Sequence, residues 1–417
     1  MNKYLTTQEC EEGTIIYNAF TCSCVMIRPF EYMNIFTDDV CDYAEFLVNN
    51  YFIVPEEYNE ESLVDILRDR QSILITATYL DNPEHFTILT TSKCNARCFY
   101  CYELNLKNKA HMTIETAEKV AKYIMTYAPK YKPVSIEWFG GEPLFNKDVI
   151  DIISSRLASA NIDFKSHMVS NGYLFDDKLV KIAANDWRVS NIQITIDGTE
   201  EVYNKTKNYI YKDTNAFQRV IQNIHKLLEV KIPVSVRMNC DTHNFEDLEK
   251  LIEYLSEEFK ESQGFSMYVW PIFEEGFTRT PEEKEKLYSV ISKLEKLIVE
   301  KGYRITFGIK DSINSVHCMA DGGNGVVIFP KGELGVCEHY LDKNFIGHID
   351  NPLDKNWEVI KEWRNYTSKE ESCKQCPIYP QCLKLKNCPD ENVCDQYQKD
   401  FNIGHIKLAI KQMWLDY

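Results

Sequence analysis

The chain has no apolar run approaching the roughly 18 residues that a membrane helix requires. Its opening Met1-Asn2-Lys3-Tyr4 leads into no apolar segment of the signal-peptide kind. The cytoplasm is therefore the expected compartment, with no membrane partner. Positive charge is also scarce: 47 Lys and Arg face 63 Asp and Glu, for a formal net charge of -16. Broad contact with nucleic acid needs the opposite sign, so none is expected. Internal repeats and low-complexity runs are missing, which sets aside solenoids and disordered tails. Cysteine, by contrast, is plentiful, with 15 in 417 residues. In a reducing compartment that many thiols point to metal or catalysis rather than to disulfides.

The thiols are unevenly placed. Cys94, Cys98 and Cys101 share one short CxxxCxxC segment, and Cys318, Cys337, Cys373, Cys376, Cys382, Cys388 and Cys394 lie in the last hundred residues. Cys10, Cys22, Cys24, Cys41 and Cys240 are scattered and expected to act as small buried hydrophobes. Three cysteines can hold three irons of a four-iron, four-sulfur cluster and leave the fourth iron open to a small molecule. An open iron implies chemistry rather than electron storage.

Periodicity divides the chain into an N-terminal module (1–82), a central body (83–302) and a tail (303–417). The module is α+β, with short strands at Ile15-Ile16-Tyr17 and Cys24-Val25-Met26-Ile27 and helical patterns around Val40–Val48 and Glu60–Arg68. Asp81-Asn82-Pro83 reads as a linker. The body alternates strands at Phe86–Thr90, Val134–Phe139, Phe164–Val169, Ile192–Ile196, Val234–Met238 and Phe265–Ile272 with helical segments. Strand–helix alternation predicts an α/β fold with a parallel sheet. Six units are too few for a complete eight-stranded barrel, so a partial (β/α)6 TIM-like barrel is expected. The tail has few long periodic segments, and its fold is expected to depend on metal.

Ligands of parallel sheets bind at the carboxyl ends of the strands, and here those ends are chemically distinctive. The first runs into the three-cysteine loop, the second into Gly140-Gly141-Glu142-Pro143, the third into Ser170-Asn171-Gly172 and the fourth into Asp197-Gly198. The fifth carries Arg237 and Asn239 on one face. Two glycines permit close backbone approach to a ligand, a carboxylate can take an ammonium group, and Arg237 can pair with a carboxylate. Together they describe a pocket for a zwitterionic nucleoside beside an open iron.

In these motifs, from Phe86 to about Ile272, the chain resembles the radical S-adenosylmethionine family. The resemblance implies that Cys94, Cys98 and Cys101 bind a [4Fe-4S] cluster and that S-adenosyl-L-methionine chelates its open iron. It further implies that Gly140, Gly141, Glu142 and Pro143 meet the cofactor's amine, and that Tyr100 lies near the adenine. Ser170, Asn171, Asp197, Arg237 and Asn239 would serve the ribose and carboxylate. Family members often carry an Arg after the fourth strand; Lys207 stands at that place here.

The tail resembles the SPASM extension of radical S-adenosylmethionine peptide-modifying enzymes. Cys318, then Gly332 and Cys337, then Cys373-x2-Cys376-x5-Cys382-x5-Cys388 and Cys394 follow that pattern. The chain departs from it in having five residues, rather than three, before Cys388. By resemblance Cys373, Cys376, Cys382 and Cys394 hold one auxiliary cluster, and Cys318, Cys337 and Cys388 remain for another, three [4Fe-4S] clusters in all. Seven thiols fall one short of a full set of eight. The expectation is a second open iron, with His317, Cys240 or His339 as the alternative eighth ligand. A zinc ribbon is the competing reading of the tail.

A substrate cysteine thiolate is a natural soft ligand for an open auxiliary iron. The resemblance then implies a maturase that takes a hydrogen from a ribosomally made precursor peptide and closes a thioether, with reduced flavodoxin or ferredoxin as electron donor. No side-chain base is assigned; Asp321, near Cys318, is the one candidate. The N-terminal module resembles leader-binding elements of peptide maturases in size and element order. An edge strand there could accept a leader by strand addition. Rival readings are a sulfatase-maturing formylglycine-generating enzyme, a carbon–carbon cross-linking enzyme and, from another class, a non-catalytic metal-binding peptide adaptor.

Overall fold

The computed structural model describes residues 1–28, 44–104, 106, 109–212, 215–241, 243–272, 279–305, 313, 317–340, 344–364, 371–388 and 394–415. The chain divides into two compact units, Met1–Ala77 with Arg304–His317 and Arg364–Tyr417, and Thr78–Tyr303 with Cys318–Trp363. Three consecutive domains were expected. Instead, one part of the tail joins the N-terminal module and the other joins the central body.

The first unit begins with strands β1 (Leu5–Cys10), β2 (Gly13–Asn18) and β3 (Ser23–Ile27), an antiparallel sheet in that order. Helix α1 (Ala44–Asn49) follows, then α2 (Glu60–Ala77), nine residues longer than the expected Glu60–Arg68. Cys41 and the start of the helix expected around Val40–Val48 lie outside the described residues. Both rows of β2 are largely buried, because Ile15 and Tyr17 face one core cluster and Ile16 faces another with Val25, Leu47 and Phe52. The first cluster also takes Val64 from α2 and Ile378, Tyr379, Ile406 and Ile410 from the tail. Arg68 of α2 is buried; its guanidinium donates to the carbonyls of Tyr379 (2.6 Å), Pro380 (3.2 Å) and Cys382 (3.1 Å) and lies 4.5 Å from the centre of the Tyr379 ring. These bonds explain why the tail's cysteine-bearing turn belongs with the N-terminal module. A carbonyl buried without a donor costs roughly 1–3 kcal/mol.

The second unit is built on six parallel strands: β4 (His85–Thr91), β5 (Val134–Gly140), β6 (Phe164–Ser170), β7 (Val189–Thr195), β8 (Val234–Cys240) and β9 (Phe265–Pro271). Helices α3 (Ile114–Tyr127), α4 (Lys147–Ser159), α5 (Leu179–Asn185), α6 (Glu200–Lys207), α7 (Ala216–Glu229), α8 (Phe245–Glu258) and α9 (Pro281–Glu300) connect or follow them. Their starts are written in the sequence. Thr113 accepts from the Thr116 N–H as N-cap of α3, and Thr280 and Glu283 form a capping box on α9. All six expected strands are present, and the architecture is the partial barrel expected.

The sheet does not stop at β4. After α10 (Met319–Gly322), strand β10 (Gly325–Ile328) pairs parallel with β4, and β11 (Glu333–Gly335) and β12 (Gly347–His348) add antiparallel to it, giving nine strands. Strand β10 is entirely buried and cannot be left at an open edge. This need places 318–363 with the barrel. Helix α11 (Trp357–Glu362) completes the unit. The first unit closes with α12 (Glu371–Lys374) and α13 (Gln396–Leu415). Among the described residues, no helix is long and apolar enough to cross a membrane.

Candidate active site

The barrel strands bury one row of side chains and leave the other half-exposed, as in β5, where Val134, Ile136 and Trp138 are buried and Ser135, Glu137 and Phe139 are not. The second row is polar: Glu137 accepts from Thr87 Oγ1 (3.1 Å), His167 meets Asn191, and Tyr268 of β9 donates to Gln193 of β7 (2.5 Å). That last bond passes over β8. A small barrel interior filled by branched apolar residues is a packed core; this one carries polar side chains.

The three-cysteine loop follows directly on β4. Two neighbouring segments hold it. On one side Gly141 N–H donates to Thr91 O (2.9 Å) and Glu142 N–H to Lys93 O (3.1 Å). On the other, Arg97 N–H donates to Lys207 O (2.8 Å) and Ile210 N–H to Asn95 O (2.9 Å). A Cβ on Gly140 would lie 2.2 Å from Thr91 O, and one on Gly141 2.6 Å from Lys93 O. Gly140 also has φ +116°, a region that disfavours side chains. The two glycines were expected to admit a ligand. What they admit is the backbone of the chain's own thiol loop.

Glu142 has a similar place. It is fully buried; its Oε1 accepts from Ser170 Oγ (2.9 Å) and Leu144 N–H (3.2 Å), and its Oε2 from Asn171 N–H (2.8 Å). Burial pushes the carboxyl up to about 7, and those same hydrogen bonds restrain the rise. The residue expected at an ammonium group thus ties the carboxyl ends of β5 and β6 together. Pro143 starts the short 3-10 turn after it, and its carbonyl accepts from Thr90 Oγ1 (3.1 Å). Asn171 reaches back to the loop, donating from Nδ2 to Asn95 Oδ1 (2.7 Å), with Cys94 Sγ 3.8 Å away.

Between Cys98 and Cys101, Tyr100 turns into a buried ionic group. Its hydroxyl donates to Asp197 Oδ2 in a short contact, and Lys207 Nζ donates to that hydroxyl (3.0 Å) and to Asp197 Oδ2 (2.8 Å). The Asp197 and Lys207 side chains are 2% and 3% exposed, so the pair is sealed. Burial works to lower the Lys207 ammonium, but Asp197, then Tyr100, Cys98 and Tyr203, together outweigh it and hold the group well above its ordinary pKa. Asn239 N–H donates to Asp197 Oδ1 (3.2 Å), and Arg237 Nε donates to Asn239 Oδ1 (2.9 Å). Tyr100, Asp197, Lys207, Asn239 and Arg237 thus form one hydrogen-bonded chain beside the thiols. Lys207, which by resemblance stands where family members often carry an Arg, directs its bonds to Asp197 and Tyr100. Its helix, α6, was not foreseen, although Thr199, the acidic pair Glu200 and Glu201 and the closing Lys205 and Lys207 mark its ends.

The thiols suit a metal. Burial pushes Cys94 up to about 12 and Cys101 up to about 11, so neither ionises readily without a cation to neutralise it. Such thiols release their protons when a metal binds. The donor set is the all-sulfur one that iron–sulfur clusters use.

Cys318 caps α10, and Asp321 closes its capping box by accepting from Cys318 N–H (2.9 Å). Asp321 is fully buried in that role, which makes it a structural cap rather than a base. Cys337 follows β11. Its Sγ lies 3.8 Å from His339 Nδ1, and the His339 ring stacks on Tyr102, the residue after Cys101, at 4.9 Å. Burial, then the nearby Glu103, Glu338, Cys101 and Cys337, holds the Tyr102 hydroxyl well above its ordinary pKa. Among the three suggested extra ligands, His339 alone stands at an auxiliary thiol by the contacts described. Cys240 is buried at the end of β8, and His317 Nδ1 is 2.6 Å from Leu383 O.

Cys373, Cys376, Cys382, Cys388 and Cys394 belong to the first unit, whereas Cys318 and Cys337 belong to the second. After burial, the charges that raise Cys382, to about 11, include those of Cys394, Cys376 and Cys373, with Lys384 opposing. Those four thiols are therefore neighbours. Among the described residues only Cys337, Glu338 and His339 bring three donor atoms within 4.8 Å of one another. Tetrahedral zinc, with sulfur at about 2.3 Å, sets its donors about 3.8 Å apart. The tail quartet is spaced more widely than that. Of the scattered cysteines, Cys10 and Cys24 pack on the first unit's core as expected, and Cys22 Sγ accepts from Gln381 Nε2 (3.1 Å).

Glu137 gives a testable pH dependence. Burial, then Glu338, pushes its carboxyl up to about 7, above the roughly 4.3 of an unfolded chain. Between those values the folded chain keeps a proton that the unfolded chain has lost, so stability falls as pH rises through this window. Glu137→Gln keeps an acceptor for Thr87 and removes the slope. The variant should match the parent near pH 4.5 and exceed it at pH 8 in urea denaturation.

Comparison with known proteins agrees with this geometry. Residues 88–255 match the sequence profile of the Radical SAM superfamily. A probable GTP 3',8-cyclase of Methanocaldococcus jannaschii is 28% identical over 253 residues, 56% of this chain and 78% of that protein. Among solved structures, native anSMEcpe with bound AdoMet has a TM-score of 0.61 at 18% identity, covering 80% of this chain and 98% of its own. Streptococcus suis SuiB bound to precursor peptide SuiA has a TM-score of 0.53 at 14% identity, covering 95% of this chain and 99% of its own. These two likenesses establish the fold.

Proposed function

We propose that the chain is a radical S-adenosylmethionine enzyme that acts on a ribosomally made precursor peptide and closes a cysteine thioether. The observation that carries the reading is the CxxxCxxC loop set at the carboxyl end of β4, above a concave polar barrel face. When bound at that loop, a [4Fe-4S] cluster and S-adenosylmethionine would supply a 5'-deoxyadenosyl radical. The chain's own residues then bind and orient. Cys94, Cys98 and Cys101 hold the cluster, while Glu142, Ser170 and Asn171 fix the strand ends on one side of the loop. Tyr100, Asp197 and Lys207 lock the other side, and Arg237 and Asn239 face the cofactor's ribose and carboxylate. Cys373, Cys376, Cys382 and Cys394 hold a second cluster, and Cys318 and Cys337 help to hold a third. A substrate thiol would take the open position there.

A peptide is favoured by the likeness to SuiB, which spans nearly the whole chain and was solved with its precursor peptide. The second reading, a GTP 3',8-cyclase, rests on the sequence relative named above. A nucleoside triphosphate carries several negative charges and needs matching cations. Near the carboxyl ends of the strands, the buried Lys207 is taken up by Asp197 and is not available to a triphosphate, which supports a peptide.

In the balance of the reaction, one hydrogen atom leaves a peptide carbon for the cofactor's 5'-carbon. The thiol proton goes to solvent, and the electron released as the C–S bond closes would pass to an auxiliary cluster, balancing the one spent on cleaving the cofactor. The test is anaerobic turnover with a cysteine-containing precursor peptide followed by mass spectrometry. A product lighter by two hydrogens, with its cysteine no longer open to alkylation, is expected. A formylglycine product, or turnover of GTP with the peptide untouched, would replace the reading.

A further inference from the structure

Asn95, the residue between Cys94 and Ala96, is fully buried, and among the described residues its side-chain nitrogen Nδ2 has no hydrogen-bond partner. Its neighbours decide which end of that amide is nitrogen. Tyr173 N–H donates to Asn171 Oδ1 (3.0 Å), so the other end of the Asn171 amide is its nitrogen. That nitrogen donates to Asn95 Oδ1 (2.7 Å), so the oxygen of Asn95 faces Asn171 and its own nitrogen is turned away. Turning the Asn95 amide over would set nitrogen against nitrogen and lose this bond. The backbone is fixed here too, because Ile210 N–H donates to Asn95 O (2.9 Å). A donor buried without an acceptor costs about 1–3 kcal/mol, and few buried donors in folded chains go without one. The head group lies at the first thiol of the loop: Cys94 Sγ is 3.8 Å from Asn95 Oδ1 and 3.8 Å from Asn171 Nδ2. Glu142 stands close enough to raise Cys94, after burial, but its carboxylate is engaged by Ser170, Leu144 and Asn171. The acceptor that Asn95 Nδ2 lacks must come from outside the described chain.

We propose that Asn95 Nδ2 donates a hydrogen bond to a sulfur of the four-iron cluster at its Cys94 corner and raises that cluster's reduction potential. The inference rests on the proposed function, since it needs a cluster at Cys94, Cys98 and Cys101. A reduced cluster carries one more negative charge than an oxidised one. A donor aimed at its sulfur therefore stabilises the reduced form more, and hydrogen bonds to sulfur are among the features that set such potentials. The Tyr173–Asn171–Asn95 relay of hydrogen bonds keeps the donor aimed before the cluster arrives, so little ordering is left to do. The cluster is the acceptor that relieves the buried donor, and the donor in turn eases entry of the electron.

The test is a redox titration of the reconstituted full chain, with dithionite as reductant and followed by electron paramagnetic resonance. The loop cluster is identified by the change in its signal on adding S-adenosylmethionine. Asn95→Asp keeps the shape and the acceptor for Asn171 but loses the donor, and Asn95→Leu removes the polar head group without adding charge. At one fixed solution potential, each variant should lower the ratio of reduced to oxidised loop cluster about tenfold or more, equivalent to about 59 mV for a one-electron couple. The potentials of the auxiliary clusters should not move. In the parent labelled with nitrogen-15 in its asparagine side chains, pulsed resonance of the reduced loop cluster should show a nitrogen coupling that Asn95→Asp lacks. A merely structural Asn95 would cost stability or iron and leave the potential of the loaded cluster alone; that result overturns the inference. So does an unchanged potential with weakened S-adenosylmethionine binding, which would give the donor to that molecule instead. Should neither variant load its iron, the labelled parent decides, and absence of the coupling overturns the inference. A parent chain that binds no iron at these cysteines would instead fail the proposed function.

Discussion

Replacing Cys94, Cys98 and Cys101 together with alanine should remove about four of some 12 irons per chain and abolish release of 5'-deoxyadenosine. The protein should remain folded, because little of the loop's shape depends on the thiols. It is held by Gly141 and Glu142 on one flank and by Lys207 and Ile210 on the other, all through backbone bonds. The shortest described thiol bond that the change removes within the loop is Ala96 N–H to Cys94 Sγ (3.3 Å), beside a 3.8 Å bond from Cys94 Sγ to Asn95 Oδ1. Losing it should cost about 1 kcal/mol in the metal-free chain. Iron analysis and urea denaturation of the metal-free protein check both halves. The iron that survives in this variant reports the auxiliary sites alone. If the tail held zinc, the variant would retain almost no iron.

Lys207→Met should destabilise the chain more than any other single change near the site. It leaves the Asp197 carboxylate beside Tyr100 in a position 2% exposed, with no cation to meet it. Breaking one partner of a buried pair costs about 3–5 kcal/mol, chiefly through the charge left behind. Adding Asp197→Asn removes that charge, so the double variant should be more stable than Lys207→Met alone, a non-additivity read directly in denaturation. Lys207→Arg keeps the charge and should recover part of the loss, limited by the longer planar head group. A loss below about 1 kcal/mol for Lys207→Met would mean that the pair is not sealed as described. Equal losses in single and double variants would mean that Lys207 acts through something other than Asp197.

The six barrel strands were legible because each is a short apolar run between turn signals, and strand–helix alternation leaves few topologies. The cysteine loop was legible for a different reason, since a dense thiol motif has no structural use that propensity would disguise. The roles of Gly140, Gly141 and Glu142 were not. Sequence shows that glycine lets something approach, but not that the carbonyls of Thr91 and Lys93 would do so here. Asp321 misled in the same way, because a carboxylate three residues after Cys318 serves equally as a base or as a cap. The tail's division between two units was hidden because it depends on long-range partners: β4 for Gly325–Ile328, and Arg68 for the turn before Cys382. The Tyr100–Asp197–Lys207 group was seen only as separate residues, since its members are 97 and 107 positions from Tyr100 in the sequence.

The central claim is that Cys94, Cys98 and Cys101 present an open iron to S-adenosylmethionine. Its most direct test is anaerobic reconstitution, reduction with dithionite and measurement of the cofactor's products. The account predicts 5'-deoxyadenosine and methionine in equal amounts, dependent on reductant and absent from the triple alanine variant. A fully iron-loaded, reduced protein that leaves S-adenosylmethionine intact, with and without peptide, would contradict it.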